Sequence, residues 1–548
     1  MRKSLQIHNN DNVGVAVQAL PAGASASFGE RRVRLAQAIP AKHKFALRPL
    51  AVGDTVVMYG IPVGRVVQPI PEGGLLTVDN VSHATGAVPD WNAPPEWAPP
   101  EVSRWANRTF QGYHRPDGQV GTANVWVVVP LVFCENQTVS RLKDALLTTL
   151  GYKATPVEQA AVEGLVEAYK NGMDAEGIRS LPLKPQQVSP AKEKVFPNVD
   201  GIRFLTHHAG CGGTRQDARS FCRLLAGYLH HPNVAGATVL SLGCQNAQIQ
   251  MLQEELKTYY PDFDKPLHLL ERQQIGDDDA FFAAALKATF SGLIHANSYS
   301  RQPAPLSKLS LGLECGGSDG FSGISANPVL GLVSDRLVAL GGNAILSEFP
   351  ELNGVEGALV QRCTSPTLAQ RFMKLMKAYA NQAERAGSGF ADNPSPGNIR
   401  DGLLTDAMKS AGAARKGGTS PIVGVWDYAE PVHGTGLHLL CTPGNDVEST
   451  TALVGSGANV VVFTTGLGTP TGNPVVPLIK VSSNSNLARQ MPNIIDFDAG
   501  GVIEGSQTLE QAADGLLELL IQVASGQVTK AMQNHQEDFI PWKRDISL

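Results

Sequence analysis

Up to about residue 86 the apolar positions fall in short runs. Val13–Val17, Arg32–Ala36, Thr55–Gly60 and Ile61–Val67 are rich in β-branched residues and separated by Gly and Pro, the pattern of short strands in a small all-β module. Between Pro89 and Pro100 the periodicity fades, and five prolines in twelve residues predict an extended linker. From about Thr109 continuous apolar runs alternate with amphipathic stretches, as in α/β domains. Val125–Phe133, Ile202–Thr206 and Ala237–Leu242 read as buried strands. Val157–Asn171, Asp217–Leu229 and Ala247–Leu256 have helical spacing. The polar stretch Ser298–Lys308, with Pro303 and Pro305, reads as a second break.

Beyond Leu309 the alternation resumes. Leu309–Leu313, Asn343–Leu346, Ile422–Val425, Leu437–Leu440, Val460–Thr464 and Ile479–Val481 are strand candidates. Asn327–Leu340, Thr367–Ala386 and Thr508–Ala524 are helix candidates. The expected architecture is α/β. A small all-β module spans 1–86 and a Pro-rich linker 87–108; a middle α/β domain follows over 109–305 and a parallel sheet with helices over 306–548. Ligands of such sheets gather at the carboxyl ends of the strands.

Composition narrows the function. Of 548 residues 43% are apolar and 17% charged, enough for a sizeable core. A net charge of -5 and 6% aromatics argue against a nucleic-acid partner. No apolar run approaches the ~18 residues that span a bilayer, so no membrane partner is expected. The amino-terminal residues lack the apolar stretch of a signal peptide. Seven scattered cysteines do not make a disulfide framework and predict a reducing, cytoplasmic setting.

Several cysteines share one context. Cys134, Cys211, Cys244 and Cys315 each follow a strand candidate, and three have glycine beside them. Four thiols at strand ends predict a soft metal site in one cleft, against the alternative of ordinary buried cysteines. His207 and His208 precede Cys211; adjacent residues point to opposite sides, so one at most enters a site. Glu314-Cys315-Gly316-Gly317-Ser318-Asp319-Gly320 is the richest cluster. Its glycines free N–H groups for an oxyanion, and Ser318-Asp319 is a candidate helix cap, with Asp319 equally a metal ligand. The turns holding Asn398, Asn445-Asp446 and Thr465 offer amides, hydroxyls and N–H groups with few cations, which suits a polyhydroxylated ligand. Neither GxGxxG nor GxxxxGK[ST] is present, so a nucleotide-dependent enzyme has only fold analogy behind it.

At these motifs the chain resembles the altronate and galactarate dehydratases. The likeness includes Ile7-His8-Asn9-Asn10-Asp11-Asn12-Val13, Tyr59-Gly60-Ile61-Pro62-Val63-Gly64 and Asp117-Gly118-Gln119-Val120-Gly121-Thr122-Ala123-Asn124. Its most specific stretch runs from Glu314 to Pro328, with Gly243-Cys244, the 393–398 and 464–470 turns, and Phe539-Ile540-Pro541-Trp542-Lys543-Arg544 in support. One departure stands out. Where many altronate dehydratases carry His-x-His-Asn, this chain has Thr77-Val78-Asp79-Asn80.

The resemblance implies an amino-terminal β-clip (SAF-like) module, a middle domain used for homodimerisation and a carboxyl-terminal Rossmann-like sheet. It also implies a sugar-acid substrate and dependence on iron, as Fe2+ or an iron–sulfur cluster, with Mn2+ as a substitute. The implied reaction dehydrates D-altronate to 2-keto-3-deoxy-D-gluconate; galactarate is the alternative substrate, and a non-catalytic sugar-acid binding protein the alternative of another class. On this reading Cys211, Cys244 and Cys315 bind the iron with Cys134 close by. His208 and Cys315 serve catalysis with Asp319, which contacts metal or substrate. Gly316, Gly317, Ser318, Asn398, Asn445, Asp446 and Thr465 bind substrate, and Arg215 and Lys480 are its candidate carboxylate partners.

Overall fold

The computed structural model describes residues 3–153, 157–182 and 193–544. The amino-terminal segment folds into small antiparallel sheets. Ser4–Leu5, Val13–Ala16 and Lys44–Ala46 make one, Thr55–Met58, Ile61–Val66 and Val81–Ser82 another. The Tyr59-Gly60 pair makes the hairpin between two of these strands, with φ of 59° and 81°. Positive φ at both positions matches the twist of the flanking strands, and Asp11 fastens the turn by accepting the Gly60 N–H at 2.8 Å. Asn80, the last residue of the Thr77–Asn80 stretch, closes a turn: its Oδ1 accepts the Thr77 N–H at 2.8 Å and its amide donates to the Leu75 carbonyl at 3.0 Å.

The middle segment carries a four-stranded parallel sheet. Its strands are β1 (Val125–Pro130), β2 (Gly201–Phe204), β3 (Val234–Ser241) and β4 (Leu267–Glu271), in spatial order β2-β1-β3-β4. β1 and β3 are buried at every position, as continuous apolar runs predict for a sheet covered on both faces. The predicted break at Ser298–Lys308 holds a strand instead. Arg301–Pro305 pairs antiparallel with Thr109–His114, and its prolines are tolerated because the strand lies at the sheet's edge.

The carboxyl-terminal sheet has seven parallel strands: β5 (Ser310–Cys315), β6 (Asn343–Leu346), β7 (Ile422–Trp426), β8 (Gly436–Leu440), β9 (Val460–Thr465), β10 (Leu478–Ser482) and β11 (Phe497–Asp498). Their order is β7-β8-β6-β5-β9-β10-β11. The chain leaves β5 for β6 on one side and later places β9 on the other, which makes β5/β9 the topological switch point.

Two cores hold these parts together. One runs without interruption from the β module (Val13, Val56, Val63, Val81) into the carboxyl-terminal sheet and its helices (Leu311, Val329, Leu516). The other joins β1 and β3 to the opposite side of the carboxyl-terminal sheet through helices Arg215–His230 and Asp446–Gly455. There Gly227 is obligatory, since a Cβ would lie 1.8 Å from the Gly455 carbonyl oxygen. Among the described residues, no helix is long and apolar enough to cross a membrane.

Candidate active site

At the carboxyl ends of β5, β6, β8 and β9 the chain buries an unusual number of charges. β5 ends in Glu314 and Cys315. β6 runs into Ser347 and Glu348, then Glu351; the helix Asp406–Ala413 brings Lys409 and the turn after it Lys416. Glu314, Glu348 and Glu351 are 0%, 0% and 3% exposed, and Lys416 is 1% exposed. Buried charges on this scale persist only when paired or when they hold a further ion.

The pairing is incomplete. Lys416 Nζ donates to Glu348 at 2.5 Å and to the Cys315 sulfur at 2.7 Å. The Cys315 thiol donates to Glu351 Oε2 at 3.1 Å, and Lys409 Nζ to Glu351 Oε1 at 2.5 Å and Asn393 Oδ1 at 2.7 Å. Ser347 and Ser449 donate to Glu314 Oε2 at 3.1 and 2.7 Å. Glu314 Oε1 and Glu348 Oε1 are buried without any hydrogen-bond partner. Glu314, Glu348 and Asp446 form one group whose carboxylate oxygens lie within 4.8 Å of one another, and Cys315, Glu348 and Glu351 form a second. Four carboxylates face two lysines, so the fully ionised cluster has an excess of two negative charges.

Local structure is bent to make this arrangement. Glu348 has φ of 63°, a left-handed conformation costly for any residue but glycine and concentrated at functional sites. Gly316 leaves room for Asp446, because a Cβ there would lie 2.0 Å from Asp446 Oδ2. Burial, then Glu348, raise the Glu314 carboxyl well above the carboxylate range. Burial, then Glu348 and Glu351, push Asp446 up to about 7. Burial opposes the Lys416 charge, but the surrounding carboxylates, Glu348 first among them, outweigh it and hold the ammonium protonated. Burial likewise keeps Cys315 a neutral thiol.

In front of this cluster opens a cleft of about 520 Å3. Glu351, Lys409, Asn393, Asn398, Asp446, Gly316 and Gly317 line it. The residues predicted to bind substrate therefore divide. Gly316, Gly317, Asn398 and Asp446 reach the cleft. The Gly316 N–H, expected to be free for an oxyanion, donates to the Thr464 carbonyl at 3.1 Å, because the β5–β9 ladder extends one residue past the strand. Asn398 spends its amide on the Ser318 carbonyl at 2.7 Å, while Ser318 itself is buried. Asn445 caps the helix Asp446–Gly455. Thr465 Oγ1 accepts the Gly468 N–H at 2.9 Å.

Asp319 sits behind the cleft and starts no helix; the next one begins at Ala326. Its oxygens accept from Phe321 N–H, Ser322, Ser483 and Asn484, and Lys42 of the β module lies 3.1 Å away. Gly466 admits it, since a Cβ there would lie 2.2 Å from the Asp319 carboxyl carbon. Lys480 is buried, donates to the Thr471 carbonyl and is lowered by burial to about 8. Arg215 is exposed at the start of its helix.

The four predicted sulfur ligands do not form one ion's donor set. Cys315 is buried beneath the carboxyl-terminal cleft, whereas Cys134, Cys211 and Cys244 are exposed at the edge of the middle sheet. A separate cleft of about 400 Å3 lies there, lined by His208, Cys211, Asn136 and Trp542. His208 is exposed; His207 is buried, with Nε2–H donated to the Pro130 carbonyl at 2.7 Å and Nδ1 accepting the Ala209 N–H at 3.0 Å. The two clefts adjoin. Trp542, a wall of one, packs at 5.2 Å on Tyr379, a wall of the other.

Glu348, Glu351, Lys409 and Lys416 were not singled out by the sequence. The available signal was an acidic pair at a predicted strand end, Ser347-Glu348-Phe349-Pro350-Glu351. The lysines sit in a stretch whose burial has no local signature.

Comparison with known proteins gives one answer along the chain. The family model described as D-galactarate/altronate dehydratase, C-terminal, matches residues 306–547. The D-galactarate dehydratase/altronate hydrolase second domain matches 112–297, and the altronate/galactarate dehydratase SAF domain 2–84. The chain is 31% identical over 548 residues to an altronate dehydratase of Bacillus subtilis, covering 100% of both. It is 31% identical over 544 residues to an altronate dehydratase of Escherichia coli, covering 99% of both. To the galactarate dehydratase (L-threo-forming) of Escherichia coli it is 28% identical over 531 residues, covering 95% of this chain and 92% of that one.

Proposed function

The chain belongs to the altronate/galactarate dehydratase family, and from that premise we propose that it is a sugar-acid hydro-lyase converting D-altronate to 2-keto-3-deoxy-D-gluconate and water in the carboxyl-terminal cleft. The observation that carries this reading is the cluster of three buried carboxylates, half-buried Asp446 and two buried lysines facing a polar cleft at the switch point of the sheet.

The reaction removes the proton at C2, next to the carboxylate, and the hydroxyl at C3. Loss of that proton builds a second negative charge on the carboxylate carbon's oxygens, which is the barrier to overcome. The family resemblance implies a metal ion. The donor set here fits a divalent cation: two buried carboxylate oxygens lack partners, the cluster's excess is two negative charges, and Gly316 clears the approach of Asp446. Glu314, Glu348 and Asp446 would hold it. Oxygen donors suit a hard ion such as Mn2+ and also accept borderline Fe2+. When bound, the ion supplies Lewis-acid stabilisation of the developing charge.

The remaining steps fall to the chain's own groups. Lys409, kept protonated by Glu351 despite burial, faces the cleft and pairs with the substrate carboxylate or donates to the departing hydroxyl. Glu351, held ionised by Lys409 and Lys416 against its burial, is the acceptor for the C2 proton. Asn393, which lines the cleft, orients a hydroxyl, while Asn398 is held by Ser318 and Ser395 and shapes the wall. Cys315 and Lys416, behind the wall, position Glu348 and Glu351. Among the described lining residues Lys409 is the one cation, which matches the single carboxylate of a hexonate and favours altronate over galactarate.

Free thiols throughout and the absence of disulfides among the described residues fit a cytoplasmic setting. A homodimer through the middle domain finds support in exposed Phe290 and Ile294 on the helix Asp278–Ala296. The test of the main reading is formation of the 2-keto-3-deoxy acid from a panel of hexonates and hexarates with added Fe2+ or Mn2+. Turnover of altronate is expected; turnover of galactarate alone would replace it, and none with any sugar acid would leave a binding protein.

A further inference from the structure

Two motifs of the amino-terminal β module, residues 7–13 and the hairpin 59–64, have no part in the reaction above. Both reach the same place. His8, Tyr59 and Ile61 line a cavity of about 480 Å3 between the module and the carboxyl-terminal domain. It shares no lining residue with the carboxyl-terminal cleft.

Glycines shape its walls. Tyr59 fits because Gly323 and Gly412 carry no side chain: a Cβ would lie 2.4 Å from the Tyr59 hydroxyl oxygen at the first and 3.4 Å at the second. The short helical turn Ala414–Gly417 brings Arg415 to the cavity. Gly331 seats that turn on the helix Ala326–Ala339, since a Cβ there would lie 2.1 Å from the Arg415 carbonyl oxygen. Arg362 ends the helix Glu356–Arg362 and donates to the Gly417 carbonyl at 2.9 Å and the Ser420 carbonyl at 2.7 Å, which ties it to the same turn.

The charge in this cavity is unbalanced. Among the described residues the half-buried Arg415 guanidinium makes no hydrogen bond or ion pair; it lies 5.6 Å from the centre of the Tyr59 ring. Arg362 donates to backbone carbonyls alone, and burial pulls it down to about 10. Two acids line the cavity, but both are already engaged. Asp335 accepts the Thr419 N–H, the Thr419 hydroxyl and the Ser420 N–H at 2.8 to 2.9 Å, and Glu510 pairs with Arg336. A cation drawn out of water without a counter-charge is costly, and a carboxylate ligand would relieve that cost through charge-assisted hydrogen bonds. Leu332, Val355 and Leu359 give the cavity apolar walls. Apolar walls with a few polar groups make a small-molecule site. Such walls leave the hydroxyls of a sugar acid without partners.

We propose that this cavity binds a small monocarboxylate with an aliphatic or aromatic body, the carboxylate on Arg415 and the body against Leu332, Val355 and Leu359. Arg362 adds a second positive charge to the same cavity. The site stands whether or not the reaction proposed above is correct, because the two cavities are separate.

The test is titration of the full chain with phenylacetate as the probe, followed by calorimetry and by ligand-observed NMR. Saturable binding at one site per chain is expected. Arg415→Gln should weaken it at least about tenfold, the loss of one charge-assisted contact, with the melting temperature unchanged. Phenylacetamide, the uncharged analogue, should bind wild type more weakly by a similar factor, a comparison that needs no variant. Lys409→Met, in the other cleft, should bind phenylacetate as wild type does, and gluconate, a polyhydroxylated monocarboxylate, should not displace it. No saturable binding, equal affinity for the acid and the amide, undiminished affinity in Arg415→Gln, loss of binding in Lys409→Met, or displacement by gluconate would each overturn the proposal.

Discussion

Lys416 Nζ stands 2.7 Å from the sulfur of Cys315, both sealed from solvent, and the same ammonium donates to Glu348. Lys416→Met would leave Glu348 buried without its counter-charge. Breaking a buried pair on one side costs about 3–5 kcal/mol. Thermal unfolding should show a melting temperature several degrees lower and no dehydration activity; an unchanged melting temperature would mean that the pair is not formed in solution.

Divalent cations should stabilise the chelator-treated protein. A ligand at a hundred times its dissociation constant adds about 2.7 kcal/mol. Thermal shift with Mn2+ should show an increase in wild type that Glu314→Gln and Asp446→Asn diminish. Equal shifts in all three proteins would remove these carboxylates from the binding set.

Gly316→Ala probes the same site without touching a donor. Its methyl would fall 2.0 Å from Asp446 Oδ2, so the carboxylate must move away. Titration calorimetry should show cation affinity reduced by at least about tenfold, equivalent to ~1.4 kcal/mol, with the circular dichroism spectrum unchanged. Wild-type affinity in this variant would show that Asp446 is not required.

Lys409→Met should lower kcat/KM for altronate by about 10²–10⁴, the range for loss of a positioned proton donor. A fall in kcat at constant KM would mark the donor role; a rise in KM alone would mark carboxylate binding.

His231 fixes one interdomain contact by its neutral tautomer. Its Nε2–H donates to the Ala458 carbonyl at 2.8 Å and its Nδ1 accepts the Asn233 N–H at 3.1 Å. Burial lowers its pKa to about 3, below the ~6.5 of an unfolded histidine. The unfolded state therefore binds more protons between those values, and the contribution is present above about pH 6.5 and lost as pH falls toward 3. Against His231→Gln, which cannot titrate, the stability advantage of wild type should shrink steadily over pH 6.5 to 4. A pH-independent difference would show that the imidazole stays charged or exposed.

Much of the architecture was legible because covered parallel strands are written as continuous apolar runs. Val460–Thr464 and Asn327–Leu340 sit within a residue of where periodicity puts them, and the strand expected over Val125–Phe133 forms over Val125–Pro130, with Phe133 already in a 3-10 turn. The helix Asp278–Ala296 escaped because apolar residues surround it on several sides and leave no clear stripe, and Leu267–Glu271 because it is short and only half-buried. Arg301–Pro305 was hidden by prolines that only an edge strand accepts. At the site, Gly316 and Asp446 carried local signatures. The lysines did not: nothing near Lys409 or Lys416 separates them from solvated surface charges, and only the folded sheet sets them against Glu351 and Glu348. The sulfur pattern was visible, but not its division, because strand order is not written along the chain.

The uninterrupted core from Val13 to Leu516, with Lys42 locked onto Asp319 and Asp401, makes the peptide linkage through the Pro-rich stretch nearly redundant. A protease nick there would yield two fragments that stay together, because neither could part without baring hydrocarbon and stranding an acid. The amino-terminal β module is in this sense a keystone wedged against the back of the carboxyl-terminal cleft, and a copy of the enzyme translated as two separate polypeptides would assemble as one body.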